Sequence, residues 1–212
     1  MNPQTLDHIA LWVADRGRMV DAAVERLGLR VIERTDRFTL LGADARRGKV
    51  TLFEAEGPRE HGALRHIGLR VSSLPDGPAE IDAGEGVRFV LVEAPTDVEY
   101  DLDHVALVAA DPDAAADGWK QLGFASAGER RLEVGGAFLE LHPGDPGEPE
   151  RPLLNHIAVL VESVDEHIAD AEELGVEVDE VVDAANTLAL FVFGPERVRL
   201  EYVEHKPTFS LT

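Results

Sequence analysis

LNHIAVLV, residues 154–161, sets one ionisable imidazole, His156, in an otherwise aliphatic run. A histidine buried in such a strand must be hydrogen-bonded, bound to something, or costly. Repetition supplies the explanation. LDHIALWV (6–13), LRHIGLRV (64–71) and LDHVALVA (102–109) carry the same order: leucine, a polar residue, histidine, a β-branched residue, a small residue, then further aliphatics. The repeated histidines are His8, His66, His104 and His156. Each run has the length of a strand and is apolar on both faces, as in a covered sheet.

The element after each run repeats as well. VDAAVERLGL, DGWKQLGF and IADAEELGV read as short amphipathic helices, with Gly28, Gly123 and Gly175 placed to end them in the left-handed conformation. Ser163 with Glu166 forms a capping box, and Asp111-Pro112 is a cap followed by proline at the first helical position. Short strand-like segments follow; in the last unit they are VEVDEVV, TLALFVF and RVRLEYVE. The unit is β-α-β-β-β, roughly 50 residues long. Unit two is eroded: after LRHIGLRV it keeps SLPDGPAEIDAGEG and one clear strand, GVRFVLVEA, so two strands and much of the helix are expected to be missing. GPREHGA (57–63) and HPGDPGEPERP (142–152) are turn-rich links, the second expected to lie over a cleft.

Composition narrows the functions on offer. The 212 residues carry 41 acidic against 20 basic side chains, a formal charge of −21, which repels nucleic acid and anionic membranes. Only 3 of those 20 cations are lysine, a pattern of genomic composition or salt adaptation more than of a specific partner. No apolar run approaches the roughly 20 residues of a membrane helix. The stretch MNPQTLDHIALWV enters a strand at once, without a basic leader, so a cytoplasmic location is expected. Cysteine is absent, which excludes disulfides, thiolate catalysis and cysteine-held metals, so a metal must be held by histidine, carboxylate or carbonyl.

Four βαβββ units, each opening on an x-His-[Ile/Val]-[Ala/Gly] strand, resemble the vicinal oxygen chelate superfamily of glyoxalase I, bleomycin-resistance proteins, methylmalonyl-CoA epimerase and type I extradiol dioxygenases. The resemblance covers nearly the whole chain. It implies an α+β fold of tandem modules pairing into two cupped mixed β-sheets with flanking helices. It also implies ligands from two places, the histidine of each first strand and a glutamate of each last strand. Aligning the last strands VTLFEAE, FVLVEAP, FLELHPG and RLEYVEH puts Thr51, Val90, Glu140 and Glu201 at the ligand position. Glu54, Glu93 and Glu204 fall three residues later, on the opposite face.

Consecutive pairing is the simpler arrangement. It gives an N-terminal pair, residues 1–99, with His8 and His66 but no carboxylate, and a C-terminal pair, residues 100–212, with a metal set of His104, Glu140, His156 and Glu201. If units one and four paired instead, His8, His156 and Glu201 would converge beside Thr51. Imidazole and carboxylate without sulfur suit a divalent Fe, Mn, Co, Ni or Zn ion. The resemblance implies a small oxygen-chelating substrate, with Glu140 or Glu201 as the base removing a proton alpha to a carbonyl, as in glyoxalase or an epimerase. The alternatives are an extradiol ring-cleaving dioxygenase, for which His142 is a candidate acid–base residue, and a ligand-binding or resistance protein without chemistry. A homodimer is compatible with each of these.

Overall fold

The computed structural model describes residues 1–44 and 48–209. Module one comprises β1 (Thr5–Val13), α1 (Arg16–Ala22), β2 (Arg30–Arg34), β3 (Phe38–Gly42) and β4 (Lys49–Glu54). Module two has β5 (Leu64–Val71), β6 (Glu80–Gly84) and β7 (Val87–Glu93). Module three has β8 (Asp101–Ala109), α2 (Pro112–Gln121), β9 (Ala125–Gly128), β10 (Arg131–Val134) and β11 (Ala137–Pro143). Module four has β12 (Leu154–Leu160), α3 (Val164–Leu174), β13 (Val178–Asp183), β14 (Thr187–Phe193) and β15 (Arg199–His205). The expected unit is present, and module two is less eroded in strands than expected. It lacks one strand, because AEIDAG forms β6, and it has no helix of its own.

The local signals work as read. Asp111 caps α2 through Asp113 and Ala114 with Pro112 following, and the Ser163 side chain accepts from the Glu166 amide. Gly28, Gly123 and Gly175 all take positive φ. A single π-helical turn, Ala23–Leu27, extends α1 to Gly28.

The pairing differs from the simpler expectation. One sheet runs β13-β14-β15-β12-β1-β4-β3-β2 and the other β6-β7-β5-β8-β11-β10-β9. Module one therefore joins module four through the antiparallel β1–β12 contact, and module two joins module three through β5–β8. The sequence boundary at residues 99/100 is not a boundary between sheets. The link lengths give the reason. Modules two and three are joined by the short stretch 94–100, whereas the links 55–63 and 144–153 are longer and cross between the sheets. Those two crossings bind each other: Glu60 N–H donates to Arg151 O at 2.9 Å, and Leu153 N–H to Glu60 O at 2.7 Å. The proline-rich link thus packs on its counterpart.

One hydrophobic cluster serves both sheets, with Ile9, Leu41, Ile67, Phe89, Trp119, Leu139 and Tyr202 among its buried members. Helix α1 lies against β3 and β4 of its own sheet and also against β6 of the other. Module two can therefore lack a helix and still have β6 covered. Among the described residues, no helix is long and apolar enough to cross a membrane.

Candidate metal centres

Each of the four histidines stands on the first strand of its module, at the seam where two modules meet. Their registers agree. Ala10 pairs with Thr51, Gly68 with Val90, Ala106 with Glu140 and Ala158 with Glu201, so the ligand position of every last strand lies beside the residue two past the histidine. Glu93 and Glu204 serve elsewhere, accepting from the amides of Leu74 and Val164 just after their first strands.

The seam also carries four bulges. In the β1–β12 register Asp7 and Asn155 are skipped, and in the β5–β8 register Arg65 and Asp103 are skipped. A bulge breaks the alternation of faces, so the residue before the histidine can turn toward the imidazole. His8 Nδ1 lies 2.7 Å from Asp7 Oδ1, His104 Nδ1 2.8 Å from Asp103 Oδ2, and His156 Nδ1 2.9 Å from Asn155 Oδ1. In module two that position is Arg65, which offers no acceptor.

The predicted four-residue set is divided by the pairing. His156 and Glu201 meet His8 at one seam, while His104 and Glu140 meet His66 at the other. His8 and His66, read from sequence as remnants of a metal-free half, each complete a cluster.

At the first seam, His8 Nε2 is 3.0 Å from His156 Nε2 and 3.3 Å from Glu201 Oε2, and His156 Nε2 is 3.0 Å from Glu201 Oε2. Burial would raise the Asp7 carboxyl, but His205, His8 and Lys49 outweigh it and hold it well below the usual carboxylate range. Asp7 is thus an acceptor only, and His8 Nδ1 donates to it. Asn155 fixes the same tautomer on His156. In neutral imidazoles both Nε2 atoms then present lone pairs to each other and to Glu201 Oε2, which is buried and accepts no hydrogen bond. Burial lowers His156, and Glu201 stays below its ordinary value because the His156 ring more than offsets burial. Three electron-rich atoms so close are relieved by a shared proton or by a metal ion between them. With nitrogen and oxygen ligands at about 2.0–2.2 Å, adjacent ligand atoms stand about 3 Å apart, so these residues fit a metal ion.

The second seam is less demanding. His66 Nε2 is 2.9 Å from His104 Nε2, but nothing beside His66 fixes its tautomer, so it can donate an ordinary hydrogen bond. Burial, with repulsion from His104 and Arg65, pushes His66 down to about 4. Burial would raise Glu140, yet Arg131 at 3.3 Å and the rings of His104 and His142 keep it below its ordinary value. Its Oε2 is 3.4 Å from His142 Nε2.

The first cluster opens on a cavity. That cavity, of about 310 Å³, is lined by His8, Lys49, Thr51, Glu201 and His205, with Phe38 and Phe209 as apolar walls. Asp7 joins the cluster to the wall: Lys49 Nζ donates to Oδ1 at 2.7 Å, and His205 Nε2 lies 3.1 Å from Oδ2. Sequence reasoning missed this trio. The signal for Asp7 is its place before His8, shared with Asp103 and Asn155; Lys49 and His205 carry no local signal.

The family comparison covers both halves of the chain. Residues 5–95 and 101–202 each fit the model of the Glyoxalase/Bleomycin resistance protein/Dioxygenase superfamily. The chain belongs to that superfamily. Among solved structures, one of similar fold is a protein of Bacillus subtilis subsp. subtilis str. 168 provisionally named a dioxygenase. It is 17% identical, with 97% of this chain and 86% of that one covered and a TM-score of 0.76. Glyoxalase I from Zea mays is 16% identical over 94% and 92% of the two chains, with a TM-score of 0.74. The cppA protein from Streptococcus pneumoniae TIGR4 is 14% identical over 96% and 99%, with a TM-score of 0.62. At these identities the likeness is one of fold. No curated protein matches the chain by sequence.

Proposed function

We propose that this chain is a metal-dependent enzyme centred on His8, His156 and Glu201, acting on a small substrate with two adjacent oxygens. The observation that carries this reading is the convergence of three lone-pair atoms within 3.0–3.3 Å beside a cavity. A divalent Fe, Mn, Co, Ni or Zn ion bound there would supply a Lewis acid for two vicinal oxygens.

The fourth ligand position is Thr51, which brings no charge. Two histidines and one carboxylate with open positions suit a non-haem iron oxygenase, so the reaction favoured is extradiol-type cleavage of a vicinal diol. His205 supports this reading. Asp7 engages its Nε2, leaving Nδ1 to accept a proton from a substrate hydroxyl at the cavity wall. Glu201, as a ligand, is then not the free base expected for glyoxalase-like chemistry. A second reading, proton transfer alpha to a carbonyl, is favoured by Glu33, a carboxylate outside the cluster that also lines the cavity. His66, His104 and Glu140 form a second, weaker metal site in this proposal.

The test is iron(II)-loaded protein given catechol in air, or a methylglyoxal–thiol hemithioacetal. Oxygen uptake with a ring-fission chromophore is expected, lost at least about a hundredfold in His8→Ala and kept in His66→Ala. Hemithioacetal turnover without oxygen uptake selects the second reading. Protein that retains no first-row metal and turns over neither compound overturns both.

A further inference from the structure

A second cavity, of about 390 Å³, shares Asp7, His205 and Phe209 with the first and is otherwise lined by Thr5, Leu160, Lys206 and Pro207. The two spaces meet at a pair of stacked rings. His205 and Phe209 lie 3.8 Å apart between centroids, with planes 4° from parallel. Of the pair, His205 is held by Asp7 and stands on β15. Phe209 has Lys49 Nζ over its ring, 5.8 Å from the centroid, and is otherwise placed by its backbone. Its N–H donates to Lys206 O at 2.8 Å, Lys206 N–H donates to Asn186 O at 2.9 Å, and Thr208 Oγ1 donates to Ala185 O at 3.0 Å. The tail is thus tied to the turn between β13 and β14, and that turn also lines the first cavity.

We propose that the second cavity is a subsite for an apolar substituent on the chelating substrate, and that Phe209 determines whether a substituent reaches it. This rests on the reading that a diol binds at the His8, His156 and Glu201 centre. Leu160, Pro207 and Phe209 give the subsite an apolar part, alongside the polar Thr5, Asp7, His205 and Lys206. Removing the Phe209 ring joins the two spaces on one side of His205 while leaving the ligands, Asp7 and Lys49 in place. A larger ring at 209 thickens the partition.

The experiment is anaerobic titration calorimetry of catechol and 4-tert-butylcatechol into zinc-loaded wild type, Phe209→Ala and Phe209→Trp. Wild type should prefer catechol. Phe209→Ala should move the affinity ratio toward 4-tert-butylcatechol by about tenfold, the scale of a few methyl groups in an apolar pocket, and Phe209→Trp should move it the other way. The same ratio in all three proteins overturns the subsite and leaves the diol reading standing. Failure of wild type to bind catechol overturns the diol reading, and the subsite with it.

Discussion

Gly68 faces His104 across the β5–β8 seam so closely that a β-carbon on Gly68 would lie 2.2 Å from His104 Nδ1. Phe138 stacks on the same imidazole, 5.0 Å between centroids and 10° from parallel, so the ring has little room to retreat. Gly68→Ala should displace His104 from Asp103 and dismantle the second cluster. The first seam, where Ala10 stands opposite His156, should be untouched. With excess zinc, elemental analysis should give two ions per wild-type chain and one per variant chain. An unchanged content would rule out His104 as a ligand.

Asp7 combines structural and chemical roles, and its loss should be read in both. Lys49 is 2% exposed and Asp7 5% exposed. Breaking a buried pair by neutralising one partner costs about 3–5 kcal/mol, mainly from the charge left behind. Asp7→Asn should therefore lower the urea midpoint strongly at neutral pH. It also releases the constraint on the His8 tautomer, and loss of such a hydrogen bond weakens metal binding by about 10–100-fold. Competition with a chromogenic chelator measures that. Because the native Asp7 carboxyl is held low, its stabilising contribution is present above the ordinary carboxylate pKa and fades only as pH falls through the lowered native value.

The histidines give a signature of the same sign, at higher pH, in the metal-free protein. His66 titrates near 4, against an ordinary value of about 6.5 in the unfolded chain. Between those values the unfolded chain holds the extra proton, so stability should fall as pH drops from about 6.5 toward 4. His156, also lowered, adds to the same slope. Urea unfolding of His66→Gln should show a shallower slope over this interval. An identical slope would mean that the folded protein protonates His66 as easily as the unfolded chain does.

How far the sequence reaches depends on the range of the interaction. Repeats, helix caps and the alignment of Thr51, Val90, Glu140 and Glu201 are local patterns, and each is legible in the residues themselves. Module pairing is not. The strands around His8, His66, His104 and His156 are near-copies, each able in principle to edge any other, and the choice is made by the links, where Glu60 meets Arg151 and Leu153. The bulges are hidden for a different reason. Strict alternation puts Asp7 and His8 on opposite faces, so the Asp7–His8 contact, and with it Lys49 and His205, follows only once the backbone departs from alternation.

Two carboxylates tie the sheets together, and the last prediction concerns them. Glu85, in the turn before β7, accepts from the amides of Ala14 and Asp15 at 2.7 and 2.8 Å, at the start of α1 in the other sheet. Glu196, in the turn before β15, accepts from Ala110 at 3.0 Å, at the start of α2. Both hold positive φ, 50° and 55°, a conformation that costs a non-glycine residue about 1–2 kcal/mol and persists because the contact outweighs it. Glu85→Ala keeps that strain and loses two charge-assisted bonds, so a loss of about 1–2 kcal/mol is expected. Glu85→Gly loses the same bonds but relieves the strain, and should be about 0.5–1 kcal/mol more stable than Glu85→Ala. Urea denaturation of the pair separates the two contributions. If alanine and glycine unfold at the same midpoint, the left-handed backbone at Glu85 carries no strain.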